Sequence, residues 1–276
     1  MHFDQRPYLM GILNITPDSF SDGGQFFDPQ RAVDQALKLV EEGADILDVG
    51  GESTRPGSDA VLEEDEIKRV LPAIQAAVRY TTVPVSIDTT KAGVAKAALD
   101  AGAAMVNDVS ALRFDGKMGE VVAAAGVPLV VMHMRGVPKT MQAGPIEYSD
   151  LLGEIRSFLE EALQRAADAG VEREQIIIDP GIGFGKTPEH NLTIINRIGE
   201  LRALGRPVLV GPSRKAFIGK VLDKEVDQRL HGTAAAVAAS VLGGAHILRV
   251  HDVGPMRDVI EVAQAISGER LPEGRS

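Results

Sequence analysis

Cysteine is absent from this 276-residue chain. That excludes disulfides, thiolate zinc sites and thiol nucleophiles, and it suits a cytoplasmic enzyme. Positive charge is in deficit: 29 Lys and Arg stand against 39 Asp and Glu, for a net charge of −10. Such a balance argues against nucleic acid or an anionic membrane as the main partner. Long apolar runs are missing too. None approaches the roughly 20 residues of a membrane span, and the apolar stretch Thr233 to Leu242 is cut short by Gly243, as in a buried helix. The opening Met1 to Pro7 lacks the basic-then-apolar pattern of a secretory leader. There is no His-Glu-x-x-His zinc motif. No Pro/Ser-rich linker interrupts the sequence, so residues 1–276 are expected to form a single domain.

What is present is a repeating unit. Short apolar runs each lead into a polar residue: Leu9 to Leu13 into Asn14, Ile46 to Val49 into Gly51-Glu52-Ser53-Thr54-Arg55, and Val83 to Ile87 into Asp88. Ala104 to Val106 leads into Asn107, Leu129 to Met132 into His133, and Ile176 to Ile178 into Asp179. Val208 to Gly211 leads into Ser213-Arg214-Lys215, and Ile247 to Leu248 into Arg249 and His251. Between them lie helical patterns at Pro29–Glu42, Leu62–Tyr80, Lys91–Ala101, Gly119–Ala125, Tyr148–Ala169, Asn191–Leu204, Asp227–Leu242 and Pro255–Ser267, most of them closed by glycine. Helix, glycine, strand, polar loop is the grammar of a parallel sheet. About eight repeats point to a (β/α)8 TIM barrel, with a doubly wound open sheet as runner-up. In a barrel every one of those polar strand ends meets at one mouth. The irregular connections Thr16–Asp28, Thr54–Val61 and Met134–Glu147 would lie there as candidate lids, the first two foremost.

A glycine string, Gly181-Ile182-Gly183-Phe184-Gly185-Lys186-Thr187, invites a phosphate-loop reading. The pattern needs glycine five positions before Gly185, where Pro180 stands, so that reading is rejected.

Asn14-Ile15-Thr16-Pro17-Asp18-Ser19-Phe20-Ser21-Asp22-Gly23 resembles the opening signature of dihydropteroate synthases. Gly50 to Gly57, Ser86-Ile87-Asp88-Thr89, Val106 to Ser110, Asp179 to Lys186, Gly211 to Lys215 and Arg249 to Asp252 resemble that family's later motifs, in order and over nearly the whole chain. The resemblance implies condensation of 6-hydroxymethyl-7,8-dihydropterin diphosphate with 4-aminobenzoate, giving 7,8-dihydropteroate and diphosphate. It also implies a homodimer, and Mg2+ with Asn14 as its direct ligand.

The residues suit that chemistry. The donor and acceptor edge of a pterin matches Asp88, Asn107 and Asp179 on three strand ends, since carboxylates accept from N–H groups and an amide does both. Lys215 could meet a ring carbonyl, with Met134 and Phe184 as apolar neighbours; Pro138 and Met141 could extend that wall. Arg249 and His251, two apart on one strand, would face the same side. With Asn14 and Thr54 they make a diphosphate site. Phe20, Arg55, Pro56 and Ser213, with Lys215, are expected at the aminobenzoate subsite. Asp88, Asp179, Lys215 and Arg249 are the expected catalytic groups. For Asp88 and Asp108 a plain helix cap is the competing role, and Asp108 is left with it. Arg214 is expected to be structural. A Schiff-base role for Lys215, a pterin-dependent methyltransferase and a non-catalytic pterin-binding paralogue are the other readings. The methyltransferase would lack the diphosphate site, and the paralogue would have lost site residues.

Overall fold

The computed structural model describes residues 6–15, 29–54 and 57–271. Eight parallel strands run in the order 6-5-4-3-2-1-8-7. They are β1 (Tyr8–Asn14), β2 (Ile46–Gly50), β3 (Val85–Asp88), β4 (Met105–Asp108), β5 (Leu129–Met132), β6 (Ile176–Asp179), β7 (Leu209–Val210) and β8 (Ile247–Val250). A parallel bridge between Ile178 and Val208 joins the two ends, so the sheet closes on itself as a (β/α)8 barrel.

Helices wrap the outside. In chain order they are α1 (Pro29–Glu41), α2 (Glu63–Tyr80), α3 (Ala92–Asp100), α4 (Met118–Ala125), α5 (Leu151–Asp168), α6 (Pro188–Asn196), α7 (Ala216–Leu222), α8 (Leu230–Leu242) and α9 (Val253–Gly268). Four acidic residues in the first turn of α2 suit the positive end of its dipole. α4 stops at Gly126, where φ is 65°, a left-handed turn that glycine takes without steric cost.

Two expectations need correction. The helix expected over Asn191–Leu204 is α6 followed by a 3-10 segment, Ile198–Leu204. The helix α7 was not expected; seven residues are too few to show a helical period.

Side chains alternate in and out along each strand, and register fixes their level. Met10, Ile46, Met105, Val130, Ile177, Leu209 and Ile247 pack together as an apolar plug at the bottom of the barrel. One level up, the pairing Asp48↔Ser86 and the pairing Asp88↔Asn107 turn the lining polar. The outward set, including Leu47, Val49, Val106 and Val131, packs into the large core beneath the helices. The plug seals the barrel from below, so the polar level is reached only from the mouth.

Candidate active site at the barrel mouth

The sites that alternation predicted do converge. Arg249 on β8 donates from Nε to Asp48 Oδ2 at 2.6 Å and from Nη2 to Asp88 Oδ2 at 2.7 Å. Asn107 on β4 donates from Nδ2 to the same Asp48 oxygen at 3.0 Å. Asp88 is therefore no helix cap; α3 follows Lys91, and its first N–H, on Ala92, donates to Asp115 Oδ2 at 2.8 Å. One guanidinium here serves two carboxylates. Burial pushes the Asp88 carboxyl up, to about 7, against the pull of Arg249 and with help from Asp48. Asp48 Oδ1, Asp88 Oδ1 and Ser86 Oγ are buried with no hydrogen-bond partner among the described residues. An orphaned buried acceptor costs about 1–3 kcal/mol, so this pocket is built to receive N–H donors.

Across the mouth the charge balance reverses. Asp179 Oδ1 accepts from the Gly181 N–H at 2.6 Å, and burial raises this carboxyl to about 6 despite Lys215 and Lys186 nearby. Lys215 Nζ sits 4.4 Å from the centre of the Phe184 ring, a cation–π distance. Phe184 belongs to an apolar cluster with Val109, Met132, Met134 and Met141. That is the wall expected from Met134, Met141 and Phe184, while Pro138 stands outside it.

At the third corner, His251 Nδ1 and Ser213 Oγ are 3.0 Å apart, and the His251 N–H donates to the same hydroxyl at 3.2 Å. Burial, then Arg249 and Arg214, hold the imidazole far below its ordinary value, at about 3. His251 is thus a neutral hydrogen-bonding group at pH 7. Ser213, expected at the aminobenzoate subsite, is buried beside His251. Asn14 and Thr54 stand half-buried at the ends of β1 and β2. Arg214 pairs with Asp252 through two hydrogen bonds, 2.5 and 2.9 Å, and is structural as expected. Asp108 accepts from the N–H groups of Ser110 and Leu112 at 2.8 and 2.7 Å; it closes the turn after β4 and is not the helix cap expected of it, since α4 starts only at Met118.

Sequence reasoning passed over several groups. Asp48 is fully buried and ties Arg249 to Asn107; an aspartate in the inward position of Ile-Leu-Asp-Val-Gly was the available signal. Lys91 bridges Glu52 and the buried Glu66, each at 2.5 Å. Glu52 also accepts from the Val61 N–H at 2.9 Å, so this network anchors both ends of the loop after β2. Only folding brings residues 52, 66 and 91 together. Phe20, Arg55, Pro56, the Thr16–Asp28 connection and the tip of the Thr54–Val61 connection lie outside the described residues.

Among the described residues no group of three or more His, Asp or Glu could hold a metal ion by itself. Nor is any helix among them long and apolar enough to cross a membrane.

Comparison with known proteins agrees with this geometry. Residues 10–251 match the family model described as pterin binding enzyme. The chain is 49% identical over 263 residues to the dihydropteroate synthase of Synechocystis sp., covering 95% of this chain and 91% of that protein. The Yersinia pestis dihydropteroate synthase, solved in complex with a sulfonamide drug, superposes with a TM-score of 0.92 at 39% identity, covering 97% of this chain and 96% of that one. The Xanthomonas albilineans dihydropteroate synthase, solved with 4-aminobenzoic acid, gives a TM-score of 0.90 at 45% identity, covering 99% and 96%.

Proposed function

The chain belongs to the dihydropteroate synthase family of pterin-binding enzymes, and from that premise we propose how its side chains divide the reaction. The reaction joins 4-aminobenzoate to 6-hydroxymethyl-7,8-dihydropterin diphosphate and yields 7,8-dihydropteroate and diphosphate. The carrying observation is the set of buried, unpartnered acceptors on Asp48, Asp88 and Ser86 beside a guanidinium.

Asp88, Asn107 and Asp179 hold the pterin ring by accepting its N–H groups; Lys215 donates to its carbonyl, and Phe184 and Met134 flank it. The diphosphate arm lies toward Arg249, His251, Asn14 and Thr54. The methylene C–O bond breaks, and the electron pair leaves with the diphosphate. The positive charge left on the carbon spreads into the ring, where the carboxylates of Asp88 and Asp179 stabilise it. The neutral amine nitrogen of 4-aminobenzoate then forms the C–N bond and loses one proton to solvent or diphosphate. No strong base is needed. Phe20, Arg55, Pro56 and Ser213 are the groups we assign to the aminobenzoate side, and closure of the two lid connections after diphosphate binds would keep water from the cation.

The donor set at Asn14 fits a diphosphate-bound Mg2+, which needs few protein ligands because it keeps waters and takes substrate oxygens. Asn14 would contribute one amide oxygen, and the ion would offset charge on the leaving group. A homodimer is the proposed assembly. Leu242, Val262 and Ile266 on α8 and α9 expose 53%, 60% and 63% of their surface, apolar area that a second copy would cover.

The test is diphosphate release measured with each substrate alone and with both. Release that needs both, with labelled aminobenzoate recovered in dihydropteroate, is expected. Release without incorporation of aminobenzoate would contradict the assignment. Equal aminobenzoate affinity with and without diphosphate would refute the lid order.

A further inference from the structure

The most unusual group that the reaction above does not use is Lys186. Its side chain is 3% exposed. No carboxylate among the described residues forms an ion pair with it; its amine faces His133 Nδ1 at 2.8 Å, the Phe184 carbonyl at 3.1 Å and the His133 carbonyl at 3.5 Å. Those are three acceptors for the three N–H bonds of an ammonium. A buried lysine hydrogen-bonded only to neutral acceptors is costly, and burial lowers it to about 7 against the pull of Asp179. His133 can serve as acceptor because burial and Lys186 keep its ring neutral, far down at about 2. The ring is fixed in turn by edge-on packing on Phe158 at 4.9 Å.

The contacts of Lys186 join two chain segments, the loop after β6 and the end of β5. That loop has no slack. At Gly181 an added Cβ would collide with the His133 carbonyl, and at Gly185 it would stand 2.6 Å from Arg135 Cβ. Both glycines have positive φ, 70° and 64°. The same loop presents Phe184 beneath Lys215 Nζ, and a Cβ added at Gly183 would stand 3.1 Å from Lys215 Cδ. Lys186 therefore grips the back of a strip whose front face is the seat of Lys215.

We propose that Lys186 is a positioning residue for pterin recognition: with His133 it clamps the 181–186 loop to the end of β5 and so sets where Phe184 and Lys215 stand. The inference rests on the reading that Lys215 and Phe184 meet the pterin. Lys186 itself does not touch substrate, since all three of its N–H bonds are engaged behind the loop.

Calorimetric binding of the pterin diphosphate substrate and, separately, of inorganic diphosphate tests this in five variants. Lys186→Met keeps the stem and removes the donors. It should weaken pterin diphosphate binding roughly 10- to 100-fold, the range for a small misplacement of a binding group. Inorganic diphosphate, held at Arg249 and His251, should bind as before. Lys186→Met combined with Lys215→Met should bind pterin diphosphate no more weakly than Lys215→Met alone, because one acts through the other. Unchanged pterin affinity in Lys186→Met, or losses that add in the double variant, would overturn the proposal. If Lys215→Met alone leaves pterin affinity intact, the underlying reading fails instead. Should Lys186→Met not fold, His133→Leu carries the same test from the other side of the clamp. It should lose pterin affinity, and His133→Asn, whose amide oxygen can replace Nδ1, should regain it. His133→Leu with full pterin affinity would equally overturn the clamp.

Discussion

The two sides of the barrel mouth carry opposite imbalances. On the side of β2, β3, β4 and β8, one arginine is shared by Asp48 and Asp88. On the side of β6 and β7, the charges of Lys186 and Lys215 both act on the carboxylate of Asp179. Neither side is neutral alone, and each is buried enough to feel it. The first is short of donors, and the second carries more cation than carboxylate. A ring with N–H groups along one edge and a carbonyl on another completes both at once, so binding relieves costs that folding left in place.

The largest effect should come from removing the shared cation. Arg249→Met leaves two buried carboxylates without their partner, and urea denaturation should show a loss of about 3–5 kcal/mol. A loss below 1 kcal/mol would mean that the pair is solvated and the contrast between the sides is false.

Next is Asp88→Ala, which removes the carboxylate but relieves the excess of negative charge. Turnover should fall about 10²- to 10³-fold, the scale for one electrostatic stabiliser, while circular dichroism shows a retained fold. Full activity would discredit the assignment of the pterin ring to this side.

The fold was legible because its signals are local. Gly126 after an apolar helix, and Ile176 to Ile178 running into Asp179, each announce an element within a few residues. Most of the groups we assign to the pterin were legible for the same reason: they end strands. Asp48 was missed because it sits mid-strand, and its role appears only when Arg249, 201 residues away, folds back to it. Lys186 looked like part of a failed phosphate loop, and its partner His133 lies 53 residues off. Long-range pairing of this kind leaves no periodic trace.

A third prediction uses pH. Asp88 holds its proton up to about 7 in the fold, against an ordinary value of 3.8. Ring binding needs the ionised form, so kcat/KM for the pterin substrate should fall about tenfold per pH unit well below 7. Stability runs the other way. Between the two values the native state binds more protons than the unfolded chain, so this group's contribution falls as pH rises from about 4 to about 7. Urea midpoints should therefore drop over the interval in which activity climbs, and Asp88→Asn should weaken both trends, leaving the part that Asp179, raised to about 6, contributes. Parallel trends would contradict the account.

The smallest effect is expected at the diphosphate corner. Ser213→Ala removes the hydroxyl that bonds His251 Nδ1 and accepts from the His251 N–H, two neutral hydrogen bonds worth about 0.5–1.5 kcal/mol each. Inorganic diphosphate should bind a few-fold more weakly, with the ring-binding side untouched. A larger loss in pterin affinity than in diphosphate affinity would blur the division between the corners.

A crystal structure of the chain with the pterin diphosphate substrate bound tests the central claim most directly. The ring should span the mouth, with N–H groups on Asp88 and Asp179, its carbonyl toward Lys215, and the phosphorylated arm at Arg249 and His251. A ring seated elsewhere, with the Asp48, Asp88 and Ser86 acceptors still unpartnered, would contradict it.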